Sequence, residues 1–240
     1  MNAELFEQLR ADRAAHRPVV LLTALPTGAQ WLVHPAQEAP AGVSAGLFEA
    51  ACQAAARDEA STVEESGATV FLHPFNPPLR LILVGAVHIA QPLATMAALT
   101  GFAPIVVDPR QAFSTDARFP GVERSTEWPD TAVTALAPDS RTAVVTLTHD
   151  PKLDDPALVA ALRSKAFYIG CLGSGKTHAS RLQRLKVLGF TDAQLGRLHG
   201  PVGLRIHARS AGEVAVSILA QIIQVLRPEK APKSGTSPKS

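Results

Sequence analysis

The sequence predicts an α/β protein in which a doubly wound parallel sheet over residues 79–227 follows a small α+β region over residues 1–73. Three observations carry this. After residue 78, continuous apolar runs alternate with helical stretches, as expected of parallel strands buried on both faces beneath helices. Before residue 73 the apolar runs are shorter and parted by turn residues. Between the two lies His73-Pro74-Phe75-Asn76-Pro77-Pro78, whose three prolines are expected to forbid regular structure and so to mark a seam.

The first region reads as helix, strand, strand, helix, strand. Val19-Val20-Leu21-Leu22 and Trp31-Leu32-Val33 flank a turn at Pro26 and Gly28, which suits a hairpin. Ser44 is placed to cap a helix whose Leu47, Phe48, Ala51, Cys52 and Ala55 share one face. Residues 68–72 form the next strand. After the seam, Arg80-Leu81-Ile82-Leu83-Val84 runs into Gly85, a helix spans about 89–99, and Pro104-Ile105-Val106-Val107 ends in Asp108. Ala143-Val144-Val145-Thr146-Leu147 and Phe167-Tyr168-Ile169 are the third and fourth strands, with a helix over 156–163 between them. A long helix closes the fold, opened by Ser210 and Glu213 in an S-x-x-E capping box. The Pro-, Ser- and Lys-rich stretch 228–240 has no apolar periodicity and is expected to be disordered.

Of the 240 residues 46% are hydrophobic and 18% charged, enough apolar surface to bury a sizeable core. The charge is unevenly spread. Residues 1–78 hold nine acids against four bases, 79–226 eleven against fifteen, and 227–240 one against four. The formal net charge of +2 therefore depends on the tail, and no nucleic-acid-binding signature accompanies it. Cys52 and Cys171 form no C-x-x-C or zinc pattern, which excludes a disulfide scaffold; Cys52, on an apolar helix face, reads as a small buried hydrophobe. Met1-Asn2-Ala3-Glu4-Leu5 lacks the regions of a signal peptide, and the apolar stretch 214–226 is cut by Ser217, Gln221 and Gln224. A cytoplasmic protein that engages neither membrane nor nucleic acid is expected.

Ligands of open α/β sheets sit where strands end and helices begin. Four such ends are chemically loaded here. Gly85-Ala86-Val87-His88-Ile89-Ala90 fits G-x-G-x-x-G/A except at Val87, whose side chain stands where a glycine lets backbone approach a pyrophosphate. Asp108, with Pro109 and Arg110 after it, offers a carboxylate for ribose hydroxyls and a guanidinium for phosphate, or else a turn cap. Thr148-His149-Asp150 places a histidine beside a carboxylate, as a ligand anchor or as polar turn chemistry before Pro151. No His/Cys/Glu cluster has metal spacing. The fourth end, Gly170-Cys171-Leu172-Gly173-Ser174-Gly175-Lys176-Thr177, spells G-x-x-x-x-G-K-T, which in a phosphate-binding loop aims backbone N–H groups, a lysine and a Mg²⁺-binding hydroxyl at a nucleotide. A nucleotide hydrolase also needs an acid ending a later strand, and none of Asp192, Glu213 and Glu229 ends an apolar run. His199, Arg205 and His207 around Gly200-Pro201-Val202-Gly203 either face the same crevice or cap the fold.

These stretches, in this order over residues 80–226, resemble the XdhC/CoxI family, accessory factors that mature molybdenum hydroxylases such as xanthine dehydrogenase. The resemblance rests on 83–91, on Asp108-Pro109-Arg110 through Arg118-Phe119-Pro120-Gly121, on Thr148-His149-Asp150 and on Tyr168-Ile169-Gly170 with Gly173-Ser174. Lys176-Thr177-His178-Ala179, Arg181-Leu182, 199–204 and 213–218 complete it. It implies a C-terminal Rossmann domain and a smaller N-terminal domain. It also implies a non-catalytic chaperone that binds molybdenum cofactor (molybdopterin, plain or as a dinucleotide), guards it while a cysteine desulfurase installs the terminal sulfide, and delivers it to the molybdenum hydroxylase apo-enzyme. On this resemblance Gly173, Ser174 and Lys176 would hold the phosphate, with Gly85 and His88 at the other helix N-terminus. Asp108 and Arg110 would hold sugar or pterin polar groups, and His149 and Asp150 would contact the pterin. A homodimer is a further expectation. Val87 and Leu47 depart from the family pattern, which has glycine and cysteine there. The alternatives are a P-loop nucleotide-binding protein using Lys176 and Thr177, a docking protein that has lost the cofactor, and a nicotinamide dehydrogenase.

Overall fold

The computed structural model describes residues 3–227, so the stretch 228–240 expected to be disordered lies outside the described residues. The chain divides into two compact units at Pro77/Pro78.

The first unit holds α1 (Ala3–Ala14), β1 (Val19–Ala24), β2 (Gln30–Val33), α2 (Ala45–Arg57), β3 (Ser61–Glu65) and β4 (Ala68–Phe75). Its antiparallel sheet has the order β2-β1-β4-β3, with β1 and β2 the expected hairpin. Ser44 caps α2, accepting from the Leu47 N–H. Leu47, Ala51, Ala54 and Ala55 then pack on Val20, Leu22, Val33, Val70 and Leu72 of one sheet face. On the other face Leu9 of α1 meets Val19, Leu21 and Leu32, and the buried Asp12 ties α1 to His34 and Arg17. Cys52 is only half-buried.

Two expectations are corrected here. The Ser61–Glu65 strand has no apolar run to announce it; it forms because Ser66 (φ 50°) and Gly67 (φ 79°) make a two-residue left-handed turn that folds it onto β4. Nor do the prolines of the seam forbid structure: β4 continues through His73 and Pro74 to Phe75. Beyond Leu72 its only partner among the described residues is β1, so Pro74 sits where a missing N–H leaves no ladder bond unmade on the open side.

The second unit is a six-stranded sheet of β5 (Leu79–Val84), β6 (Phe102–Val107), β7 (Glu123–Ser125), β8 (Thr142–Thr146), β9 (Tyr168–Cys171) and β10 (Leu198–His199). Every pairing is parallel, in the order β10-β9-β8-β5-β6-β7. Counted within the unit this is 6-5-4-1-2-3, the Rossmann order, with its reversal between β5 and β8. The helices are α3 (Ala90–Leu99), α4 (Pro129–Leu136), α5 (Pro151–Arg163), α6 (Gly175–Val187), the short α7 (Asp192–Leu195) and α8 (Ala211–Leu226). The capping box of Ser210 and Glu213 opens α8 as expected. One core packs α3 and α8 on Leu81, Leu83, Val106 and Val145; the other packs α4, α5 and Leu185 of α6 on Ile82, Val84, Val107 and Val144. Burial on both faces is why these strands read as unbroken apolar runs.

The helix expected over 156–163 begins five residues earlier, because Asp150 caps it and Pro151 takes the first helical position, where no N–H is missed. Pro156 lies inside it and forgoes one backbone bond. The loop after β10 is fastened to the fold: Val202 N–H donates to the Cys171 carbonyl, Gly203 N–H to Gln221 Oε1 and Leu204 N–H to the Ser217 carbonyl. His199 stacks on Tyr168 with ring centroids 4.5 Å apart. Among the described residues, no helix is long and apolar enough to cross a membrane.

Candidate functional site

All four loaded ends lie at the carboxyl edge of the parallel sheet, but they divide into two sets. The first gathers around Gly85 and Asp108. Asp108 is fully buried at the end of β6, and its carboxylate is spent on its own chain. Oδ2 accepts from the Ala86 N–H (2.8 Å) and Oδ1 from the Arg110 N–H (2.9 Å), while the Arg110 guanidinium grips both oxygens at 2.9 and 2.8 Å. Burial alone would raise this carboxyl's pKa; the hydrogen bonds from Arg110 and Ala86 outweigh it and hold the group below its ordinary value. The acid at this strand end thus braces the first loop rather than presenting a free oxygen. Gly85 (φ 110°) has no room for a side chain, since a Cβ would stand 2.4 Å from Thr148 Cγ2. Val87 packs partly into the core and His88 is exposed.

The second set surrounds the amino ends of α5 and α6, where His149 and Lys176 line a cleft of about 260 Å³. His149, held at φ 64°, and Lys176 stand on its walls, and Asp154, Ser180 and Arg181 complete it. Asp150 is occupied as the cap of α5, accepting from the Lys152 N–H at 2.9 Å. Ser174 likewise caps α6: its Oγ accepts from the Thr177 N–H (3.2 Å) and lies 2.9 Å from the Thr177 hydroxyl. Of the sequence-predicted residues the cleft therefore takes His149 and Lys176; Gly173 and Ser174 lie on the loop that enters α6, Gly85 and His88 on the loop after β5, and Asp108 and Arg110 on the loop after β6. The loops after β5 and β8 touch through Gly85 and Thr148.

The P-loop alternative is contradicted by this geometry. Gly170 is inside β9, where a Cβ would meet Val202 and Tyr168 at 2.6 and 2.9 Å. Only Leu172, Gly173 and Ser174 lie between strand and helix, too short a loop to cradle a triphosphate, and the Thr177 hydroxyl is already paired.

Asp154 and Arg181 are the residues that sequence reasoning missed. Both are 1% exposed. Thr148 donates to Asp154 Oδ1 through its hydroxyl (2.7 Å) and its N–H (3.3 Å), while Asp154 Oδ2 lies 3.6 Å from Arg181 Nη2 and has no hydrogen-bond partner among the described residues. Arg181 Nη2 donates to the Leu172 carbonyl (2.9 Å), but Nε and Nη1 have no partner among the described residues. Burial pushes the Asp154 carboxyl pKa up, more than Thr148, Arg181 and His149 pull it down. Beside them Arg184 is committed to Asp155 through two hydrogen bonds. A signal was present: on α5 Asp154 shares the face of Leu153, Ala157, Leu158 and Ala161, and on α6 Arg181 shares that of Leu185, so both charges stand at helical positions whose period calls for apolar residues.

Comparison with known proteins locates this unit. Residues 81–222 match the family described as the XdhC Rossmann domain. The chain is 35% identical over 151 residues to the protein named molybdenum cofactor insertion chaperone PaoD of Escherichia coli, covering 63% of this chain and 41% of that one. It is 35% identical over 156 residues to a Bacillus subtilis protein named as a probable subunit of xanthine dehydrogenase, covering 65% and 45%. The chain thus spans less than half the length of these relatives. A crystal structure described as a xanthine dehydrogenase from Bacillus halodurans superposes with a TM-score of 0.70 at 24% identity, covering 96% of this chain and 66% of that one, a likeness of fold.

Proposed function

Since the chain belongs to the XdhC family, we propose that it takes part in maturing a molybdenum hydroxylase, binding molybdenum cofactor at the carboxyl edge of its parallel sheet and releasing it to the apo-enzyme. A relative named for molybdenum cofactor insertion supports this reading. The observation that carries it is the cleft between α5 and α6, lined by Lys176 and by a buried guanidinium with two donors unanswered among the described residues. Such an arrangement suits the phosphate of a pterin cofactor, since helix N-termini and cationic side chains both favour an anion.

In this reading Gly173 shapes the loop, Ser174 holds it to α6, and Lys176 supplies charge to the phosphate. Arg110, held in place by Asp108, faces the polar part of the pterin along with His149. Asp108, both of whose oxygens serve the backbone, and Asp150, whose Oδ1 caps α5, act as positioning residues. The chain supplies no reacting group: it holds the cargo while a cysteine desulfurase sulfurates it and the hydroxylase receives it.

The test is retention. The purified protein is mixed with molybdenum cofactor, unbound ligand is removed, and retained pterin is quantified, with Gly173→Asp in parallel. Gly173 has φ 140°, and its Cβ would come 3.1 Å from Thr177, so aspartate there distorts the loop and opposes a phosphate. Retention in the wild type with loss in Gly173→Asp and in the exposed-site variant Lys176→Glu is the expected outcome. No retention by the wild type sinks the proposal.

A further inference from the structure

Building on that reading, we infer that the α5–α6 cleft is a phosphoryl subsite anchored by Arg181, one strand away from the pyrophosphate position of a dinucleotide fold. Unpaired buried donors are rare in folded proteins, because each one left unanswered carries the cost of its lost hydration. Arg181 leaves Nε and Nη1 in that state among the described residues, on different edges of the guanidinium, and each is a charge-assisted donor of the kind that suits a phosphoryl oxygen. Asp154, 3.6 Å from Nη2, is too far for a hydrogen bond and leaves Oδ2 unanswered as well.

The rest of the wall has the same character. Thr177 N–H is taken by Ser174 Oγ and His178 N–H by the Ser174 carbonyl, and the Gly175 and Lys176 N–H groups are the other first-turn donors of α6, for which a helix offers no partner of its own. Lys176 adds an exposed ammonium at the mouth. Arg184 is neutralised by Asp155, so the charge left over comes from Lys176 and Arg181 against Asp154. At about 260 Å³ the space falls below the roughly 300–1,000 Å³ usual for whole small-molecule sites, so it admits the phosphoryl end of a ligand and not its ring system. The chemistry selected is a phosphomonoester, whether carried by a pterin or by a nucleotide.

Ser180 provides the decisive variant. It is exposed, lines the cleft one turn beyond Lys176, and lies outside the Gly173–Ser174 loop. Inorganic phosphate is titrated against the full chain by thermal unfolding and calorimetry, for the wild type, Ser180→Glu, Arg181→Gln and a control, Arg205→Gln, on the exposed loop after β10. A saturable rise in unfolding temperature is expected for the wild type and control. Ser180→Glu should lose it, because its own carboxylate occupies the site, and Arg181→Gln should weaken phosphate at least tenfold. Should Arg181→Gln fail to fold, Ser180→Glu, on a surface position, still decides the matter. A wild type indifferent to phosphate, or a Ser180→Glu protein that responds as the wild type does, overturns the subsite. Competition with molybdenum cofactor and with nucleoside monophosphates identifies which carrier of the phosphoryl group displaces the probe. Pterin retention without a phosphate response removes the subsite and leaves the maturation reading standing; a phosphate response without pterin retention does the reverse.

Discussion

Two places at the carboxyl edge of the same sheet carry a carboxylate and a guanidinium, and they put the pair to opposite uses. At the end of β6, Asp108 and Arg110 are bound to each other and to the backbone, and every oxygen of the carboxylate is answered. Between α5 and α6, Asp154 and Arg181 face each other at 3.6 Å with three polar atoms unanswered among the described residues. The first pair is a brace, and the second keeps hydrogen-bonding capacity in hand. An acid or arginine at a strand end is therefore no guide to ligand contact until its remaining hydrogen bonds are counted.

Substitutions can break this contrast. The largest effect is expected from Gly85→Val, which must place a Cβ 2.4 Å from Thr148 at a φ that side chains avoid. Strain and overpacking together predict a loss of about 3–5 kcal/mol in denaturant unfolding. Next comes Asp108→Asn, which unbalances the brace. About 2–3 kcal/mol should be lost at neutral pH, since a buried acceptor turns into a donor facing Ala86 or Arg110. Because the folded-state pKa of Asp108 is depressed, the wild type's advantage is full above the ordinary carboxylate pKa and disappears as pH falls through the lowered one. An advantage that persists unchanged in acid would show that the brace is not ionic.

The cleft pair should respond with the opposite sign. Asp154→Asn combined with Arg181→Met keeps the acceptor for Thr148 and removes two poorly paired buried charges, so stability should rise by about 1–2 kcal/mol. The same protein should no longer answer to phosphate, the usual exchange between stability and binding. A fall in stability would mean that the pair is a second brace. The smallest effect is expected from Val87→Gly. Restoring the missing glycine should cost about 0.5–1 kcal/mol and leave NAD affinity unimproved by titration, because the Asp108 carboxylate stays occupied.

What the sequence announces follows from burial. Strands covered on both faces must be apolar throughout, so β5, β6, β8 and β9 are visible as runs, and with them the parallel sheet. The strand Ser61–Glu65 is half-exposed and held by its turn, and β10 is two residues long, so neither leaves a pattern to read. The site divides in the same way. Glycines, His149 and Lys176 are visible because they fall in short motifs directly after apolar runs. Asp154 and Arg181 are 27 positions apart in the chain and meet only when α5 and α6 align. Placing the start of α5 at Pro156 also hides Asp154, whereas Asp150 and Pro151 together are the truer start signal.

The contact between Gly85 and Thr148 bears on how such chains diverge. It is made by the protein with itself, so the demand for glycine at 85 survives whether or not any nucleotide ever lies over the loop. Position 87 has no such guardian, and a valine can settle there by turning into the core. Half of a dinucleotide fingerprint can therefore be kept by packing alone, and a glycine at position 85 is no sign of a bound nucleotide.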